Sequence, residues 1–116
     1  MSLQYTYENK AVNMKTEKQL QNYLKKQCEK NKILYYKFSS PAKRGVPDVI
    51  LIHCLNASVV MPDRVRFVEL KSPSGKGRLS ALQLLEIAKL RDAGASVHVI
   101  ESKEQVDAII EGLKCC

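Results

Sequence analysis

Three side chains in this chain have the types and the spacing to do chemistry together: Asp48, Glu69 and Lys71. Asp48 closes "GVPD" at the mouth of the apolar run "VILI", and Glu69 and Lys71 stand two apart in "VRFVELK". Strand alternation puts Val65, Phe67, Glu69 and Lys71 on one face, with Glu69 and Lys71 about 6.6 Å apart along the strand. An acid and an amine so placed make either a simple ion pair or a metal ligand beside a cation that steadies a phosphate or activates water. The position of Asp48 decides between these readings. If a hairpin pairs His53 with Arg64, the antiparallel register brings Asp48 directly opposite Glu69, with Cβ atoms about 4.5–5.5 Å apart. Two carboxylates that close repel unless a proton or cation lies between them. Their oxygens suit Mg²⁺ or Mn²⁺. Turn chemistry is the plain alternative for Asp48, and a bulge would shift the register by one residue.

Other polar residues join or leave this set by position. A second Pro-Asp pair, Pro62-Asp63, precedes Glu69 by six residues, roughly 20 Å of extended chain, too far to share an ion with it. It reads as turn chemistry into the strand. Glu17 lies three residues before Leu20 and seven before Leu24, on the apolar stripe of a helix. The helix dipole explains an acid in a first turn but not its apolar side. Gln83 has the same local setting as Gln19 and Gln105, the third position of a capping box, and reads from that setting as a cap.

The elements that must position these groups follow from local signals. "TEKQ", "SALQ" and "SKEQ" each match the S/T-x-x-E/Q capping box and start three helices. The first runs to about Lys30, with Leu20, Leu24 and Cys28 on one stripe. The second runs to about Ala93 and stops at Gly94, with Leu79 and Leu84 flanking its cap as a hydrophobic staple. The third carries Val106, Ile109, Ile110 and Leu113 at helical spacing. Strands are expected over Ile33 to Phe38, Asp48 to His53, Val65 to Lys71 and Val97 to Ile100. Helix, three strands, helix, strand, helix is an α/β sandwich with a small mixed sheet. The second and third strands form its hairpin, and the third and fourth form a right-handed crossover if they lie parallel.

Bulk properties set the frame. With 116 residues, 45% of them hydrophobic, the chain suits one domain with a modest core. Nineteen Lys and Arg against twelve Asp and Glu give a net charge of +7, which favours a polyanionic partner such as nucleic acid, although a basic protein without one fits the charge equally. No apolar run approaches the roughly 20 residues of a membrane span. The N-terminus has no apolar signal region, so a cytoplasmic location is expected. Cys28, Cys54, Cys115 and Cys116 contain no C-x-x-C pair, and His53 and His98 are the only histidines, which argues against a structural zinc site. Cys28 and Cys54 lie in apolar patterns and read as core. Lys43 and Arg44 precede the Asp48 loop, and "SPSGKGR", with Lys76 and Arg78, follows Lys71; these basic residues are expected to meet phosphates. No aromatic-rich basic stretch suggests stacking of single strands.

"GVPD" followed by "ELK" resembles the PD-(D/E)xK nuclease signature, and Glu17 on the helix before with Gln83 on the helix after sharpens it to the VRR-NUC branch in its compact stand-alone form of viral and bacterial type. The likeness covers about Lys15 to Val106. It implies a restriction-endonuclease-like α-β-β-β-α-β core, with residues 1–15 as an arm or short helix and 16–114 as a single nuclease domain. It implies a phosphodiesterase that depends on Mg²⁺ or Mn²⁺. Glu17, Asp48, Glu69 and the backbone carbonyl of Leu70 would be metal ligands; Asp48, Glu69, Lys71 and Gln83 would be the catalytic set. Lys43, Arg44, Lys76 and Arg78 would touch DNA. Similar stand-alone members are homodimers that cut branched DNA such as four-way junctions, in a bacterial cell or a phage-infected host. A general or restriction-like DNA nuclease with the same centre is the alternative, as is a non-catalytic DNA-binding domain of this fold.

Overall fold

A computed structural model describes residues 14–53, 64–75 and 77–113. The arm through residue 13, the loop with Cys54 and Pro62-Asp63, the basic residue Lys76, and Cys115 and Cys116 lie outside the described residues.

Helix α1 (Glu17–Lys30) starts where Thr16 and Gln19 close a capping box, the hydroxyl taking the Gln19 N–H and the Gln19 amide oxygen taking the Thr16 N–H. Its stripe of Leu20, Leu24 and Cys28 is fully buried. Strands β1 (Leu34–Lys37), β2 (Val49–Ile52) and β3 (Val65–Leu70) follow. Helix α2 (Ala81–Asp92) has the same closed capping box, from Ser80 and Gln83. It ends as Gly94 adopts φ +97° and the Gly94 and Ala95 N–H groups bond back to the Arg91 and Leu90 carbonyls, a Schellman ending. Leu84 is 55% exposed, so no buried staple closes over the start of α2. Strand β4 (Ser96–Ile100) and helix α3 (Lys103–Leu113) complete the fold. At α3 the Ser102 hydroxyl takes the Gln105 N–H, but the Gln105 amide reaches the Glu101 N–H, one residue upstream of the expected partner.

The sheet order is β1-β2-β3-β4, with the first two pairings antiparallel and the last parallel. This is the expected α/β architecture with a small mixed sheet. Hairpin register follows the His53–Arg64 pairing: the His53 N–H bonds to the Arg64 carbonyl, and Val49 stands opposite Val68. One face of the sheet, through Val49, Leu51, Val68, Leu70 and Ile100, packs with α1 and α3 into the core. Each buried aliphatic side chain of this kind stabilises the fold by about 1.5–3 kcal/mol relative to exposure. His53 is buried beneath α3, its Nδ1 bonded to the Leu113 carbonyl, one of the last-turn carbonyls that a helix leaves without an internal partner. Alternate residues of β3 face the other side, where α2 lies.

Candidate active site

The antiparallel register sets the geometry. With Val49 opposite Val68, the next residues outward are Asp48 and Glu69, at the end of the sheet where β1 and β3 finish and β2 begins. Asp48 continues the ladder by one rung, its carbonyl accepting from the Phe38 N–H at 2.7 Å. Its carboxylate takes a 3.0 Å contact from Lys37 Nζ. Sequence reasoning missed Lys37. The signal was present in the register, since the last residue of β1 pairs with Val49, immediately beside Asp48.

Glu69 is nearly inaccessible, 7% exposed, and is held from two sides. Lys71 Nζ lies 3.5 Å from its Oε2, and the Gln83 amide donates to the same oxygen at 2.9 Å. Gln83 therefore does two things at once. Its Oε1 takes the Ser80 N–H of the capping box while its Nε2 holds Glu69. The cap reading and the site reading are both met by one side chain. Burial raises the Glu69 carboxyl above the ordinary carboxylate range. The Asp48 charge pushes it further up, Lys71 opposes, and Glu17 adds a smaller push in the same direction as Asp48.

Glu17 itself is exposed in the first turn of α1, not folded under the apolar stripe as its spacing suggested. Helix α1 begins there, so the residue lies over the rim of the core rather than inside it. Its charge still reaches the site, contributing at both Glu69 and Lys37. Among the described residues, no three His, Cys, Asp or Glu side chains converge closely enough to hold an ion. Asp48 turns to Lys37, and Glu69 turns to Lys71 and Gln83. An ammonium group beside each acid offsets part of their mutual repulsion.

The loop carrying Asp48 is wedged against α2. Gly45 has φ +89°, and a Cβ there would lie 2.6 Å from the Leu82 carbonyl oxygen and 3.0 Å from the Gln83 nitrogen. Only glycine satisfies both the backbone angle and that approach. Pro47, next to Asp48, is fully buried. Lys43 lies 3.6 Å from Glu86, a buried acid of α2 that sequence reasoning also passed over. Arg44 and Arg78 are exposed on the loops either side of the site. Leu70 buries its side chain in the core.

Comparison with known proteins gives a family and a fold. Residues 1–104 match the family model of the VRR-NUC domain. The chain is 34% identical over 89 residues to "Putative nuclease p44" of Acyrthosiphon pisum secondary endosymbiont phage 1, covering 76% of this chain and 85% of that one. A solved structure described as a VRR_NUC domain superposes with a TM-score of 0.65 at 32% identity, covering 82% of this chain and 94% of the other. Among the described residues, no helix is long and apolar enough to cross a membrane.

Proposed function

The chain belongs to the VRR-NUC domain family, a nuclease family, and from that premise we propose that it is a divalent-metal-dependent endonuclease that cuts branched DNA such as four-way junctions. The observation that carries the reading is the facing pair Asp48 and Glu69 with Lys71 and Gln83 bonded to the second acid. The donor chemistry suits a hard cation: Asp48 and Glu69, with Glu17 and the Leu70 carbonyl as the family resemblance implies, would offer oxygen only, and burial followed by the Asp48 charge holds the Glu69 carboxyl above its ordinary value. When bound, Mg²⁺ or Mn²⁺ would polarise the phosphate and acidify a bound water.

The side chains have separate tasks. Gln83 keeps the Glu69 carboxylate in one rotamer, so its free oxygen has a fixed direction. Lys71, 16% exposed and 3.5 Å from Glu69, holds a positive charge where the attacking water loses its proton or the phosphate gains charge. Lys37 neutralises Asp48 and limits the repulsion that would open this end of the hairpin. Arg44, Arg78, Lys43 and Lys76 would bind the phosphate backbone, giving affinity that falls with salt and does not depend on sequence. A two-fold homodimer would present two such sites to a symmetric junction.

The test uses labelled linear duplex, flap and four-way DNA with Mg²⁺, Mn²⁺ or EDTA. Metal-dependent cutting of the four-way substrate above the duplex is the expected result. Equal cutting of duplex and junction would leave a general nuclease, and no cutting of any substrate would remove the enzymatic reading. Light scattering should give a dimer; a monomer at working concentration would count against junction cutting.

A further inference from the structure

Beside Asp48 lies a cleft that shares only that residue with the four-residue constellation. It is lined by Lys37, Phe38, Ser39, Ser40, Lys43 and Val46, with Asp48 on one wall. Its volume is about 410 Å³, within the roughly 300–1,000 Å³ of small-ligand sites. Three kinds of group meet there. Lys37 and Lys43 bring ammonium groups, both more than half exposed. Ser39 and Ser40 bring hydroxyl donors. Phe38, the only aromatic among the described lining residues, is 37% exposed although it directly follows a strand. Cations, hydroxyls and one open ring are the groups that a nucleotide needs, the first two for its phosphate and the ring for its base.

We propose that this cleft is a subsite for one nucleotide of an unpaired strand, with its phosphate toward Lys43 and the serines and its base against Phe38. A base stacked inside a duplex presents only its edges, whereas stacking on an aromatic ring needs a base's face, which an unpaired strand offers. Asp48 on the wall repels a phosphate, so the phosphate sits at the Lys43 end, with Lys37 between it and the acid at 3.0 Å from Asp48. Lys43 has a partner in Glu86 at 3.6 Å and remains exposed enough to serve both. A sequence without an aromatic-rich basic stretch thus still assembles a stacking platform, because the turn between β1 and β2 gathers its parts. The inference rests on the nuclease reading for the identity of the polymer.

The test is binding, not cutting, so the two readings fail separately. A short labelled oligothymidylate is titrated by fluorescence anisotropy in EDTA, at several salt concentrations, with the full chain. Phe38→Leu should weaken binding by about fivefold or more with the salt slope unchanged, and Phe38→Tyr should bind like the parent. Lys43→Gln should reduce the slope of log K against log salt by about 0.7, the single-strand value for one phosphate contact. Equal affinity of Phe38→Leu and the parent, or an unchanged slope in Lys43→Gln, overturns the subsite, as does failure of the parent to bind the oligonucleotide. A parent that binds it but cuts no DNA with metal overturns the nuclease reading and leaves the subsite standing.

Discussion

Replacing Gln83 by alanine isolates the part of the site that local sequence hides. Gln19 and Gln83 hold the same position in the same closed capping box, so Gln19→Ala serves as an internal control. Gln19 accepts from the Lys15 and Thr16 N–H groups at 2.7 and 3.1 Å, both exposed. Gln83 accepts from the Ser80 N–H at 2.9 Å and also donates to the buried Glu69 carboxylate at 2.9 Å. A neutral hydrogen bond contributes about 0.5–1.5 kcal/mol and one to a charged group about 1.5–3 kcal/mol. The two substitutions therefore differ in one neutral bond against one charge-assisted bond, about 1 kcal/mol in favour of a larger loss at Gln83. For a domain of this size that difference is about 4 °C in Tm. Activity should separate them further: with Glu69 as a metal ligand, as proposed, losing its support would cost roughly 10–100-fold, whereas Gln19→Ala should cut normally. Differential scanning fluorimetry and initial rates on a four-way substrate read both. Equal Tm shifts with equal rates would show that the Glu69 bond does nothing, and the double role of Gln83 would be withdrawn.

Asp48→Ala should reduce cutting by at least the roughly 100-fold that loss of a supporting partner can cost, with unchanged circular dichroism; a variant that cuts normally refutes the ligand assignment. Glu69→Gln should abolish cutting yet raise Tm at neutral pH. The folded carboxyl is held above its ordinary range, so the native state binds the proton more tightly than the unfolded chain, and ionising Glu69 costs stability as pH rises through the raised value. The gain in Glu69→Gln should therefore vanish below the ordinary carboxylate range, and a Tm difference independent of pH would refute it. Gly45→Ala should destabilise by about 2 kcal/mol or more, since the backbone angle is strained for alanine and its Cβ would meet backbone atoms of α2 at 2.6 Å. It should also slow cutting by displacing Gln83; a Tm within 1 °C of the parent, by the same ~4 °C per kcal/mol, would contradict the close approach.

What the sequence made legible was local or periodic. The capping boxes of α1 and α2 were readable because a hydroxyl and an amide three residues apart satisfy each other without help from elsewhere. The register was readable because one pairing, His53 with Arg64, fixes every other rung of the hairpin. The family match bears out the resemblance drawn from "GVPD" and "ELK". Side-chain direction at element ends was not readable. Lys37 and Asp48 both lie at strand termini, where alternation no longer dictates where a side chain points. Helix α2 misdirects in another way: Leu82, Leu84 and Leu85 are about half exposed while Glu86 is buried. An acid goes inside there because Lys43 and Lys89 arrive at 3.6 and 3.4 Å to meet it, and no periodicity announces that.

The two ends of the hairpin differ in character. At the loop end, His53 and Arg64 join by a backbone bond, and apolar pairs such as Ile50 with Phe67 follow. At the other end stand two carboxylates. The rung that carries Asp48 and Glu69 is closed against their repulsion, with Lys37 and Lys71 beside the two acids. A cation that settled between the acids would lift that repulsion, and so would act as a clasp on the fold as well as a reagent.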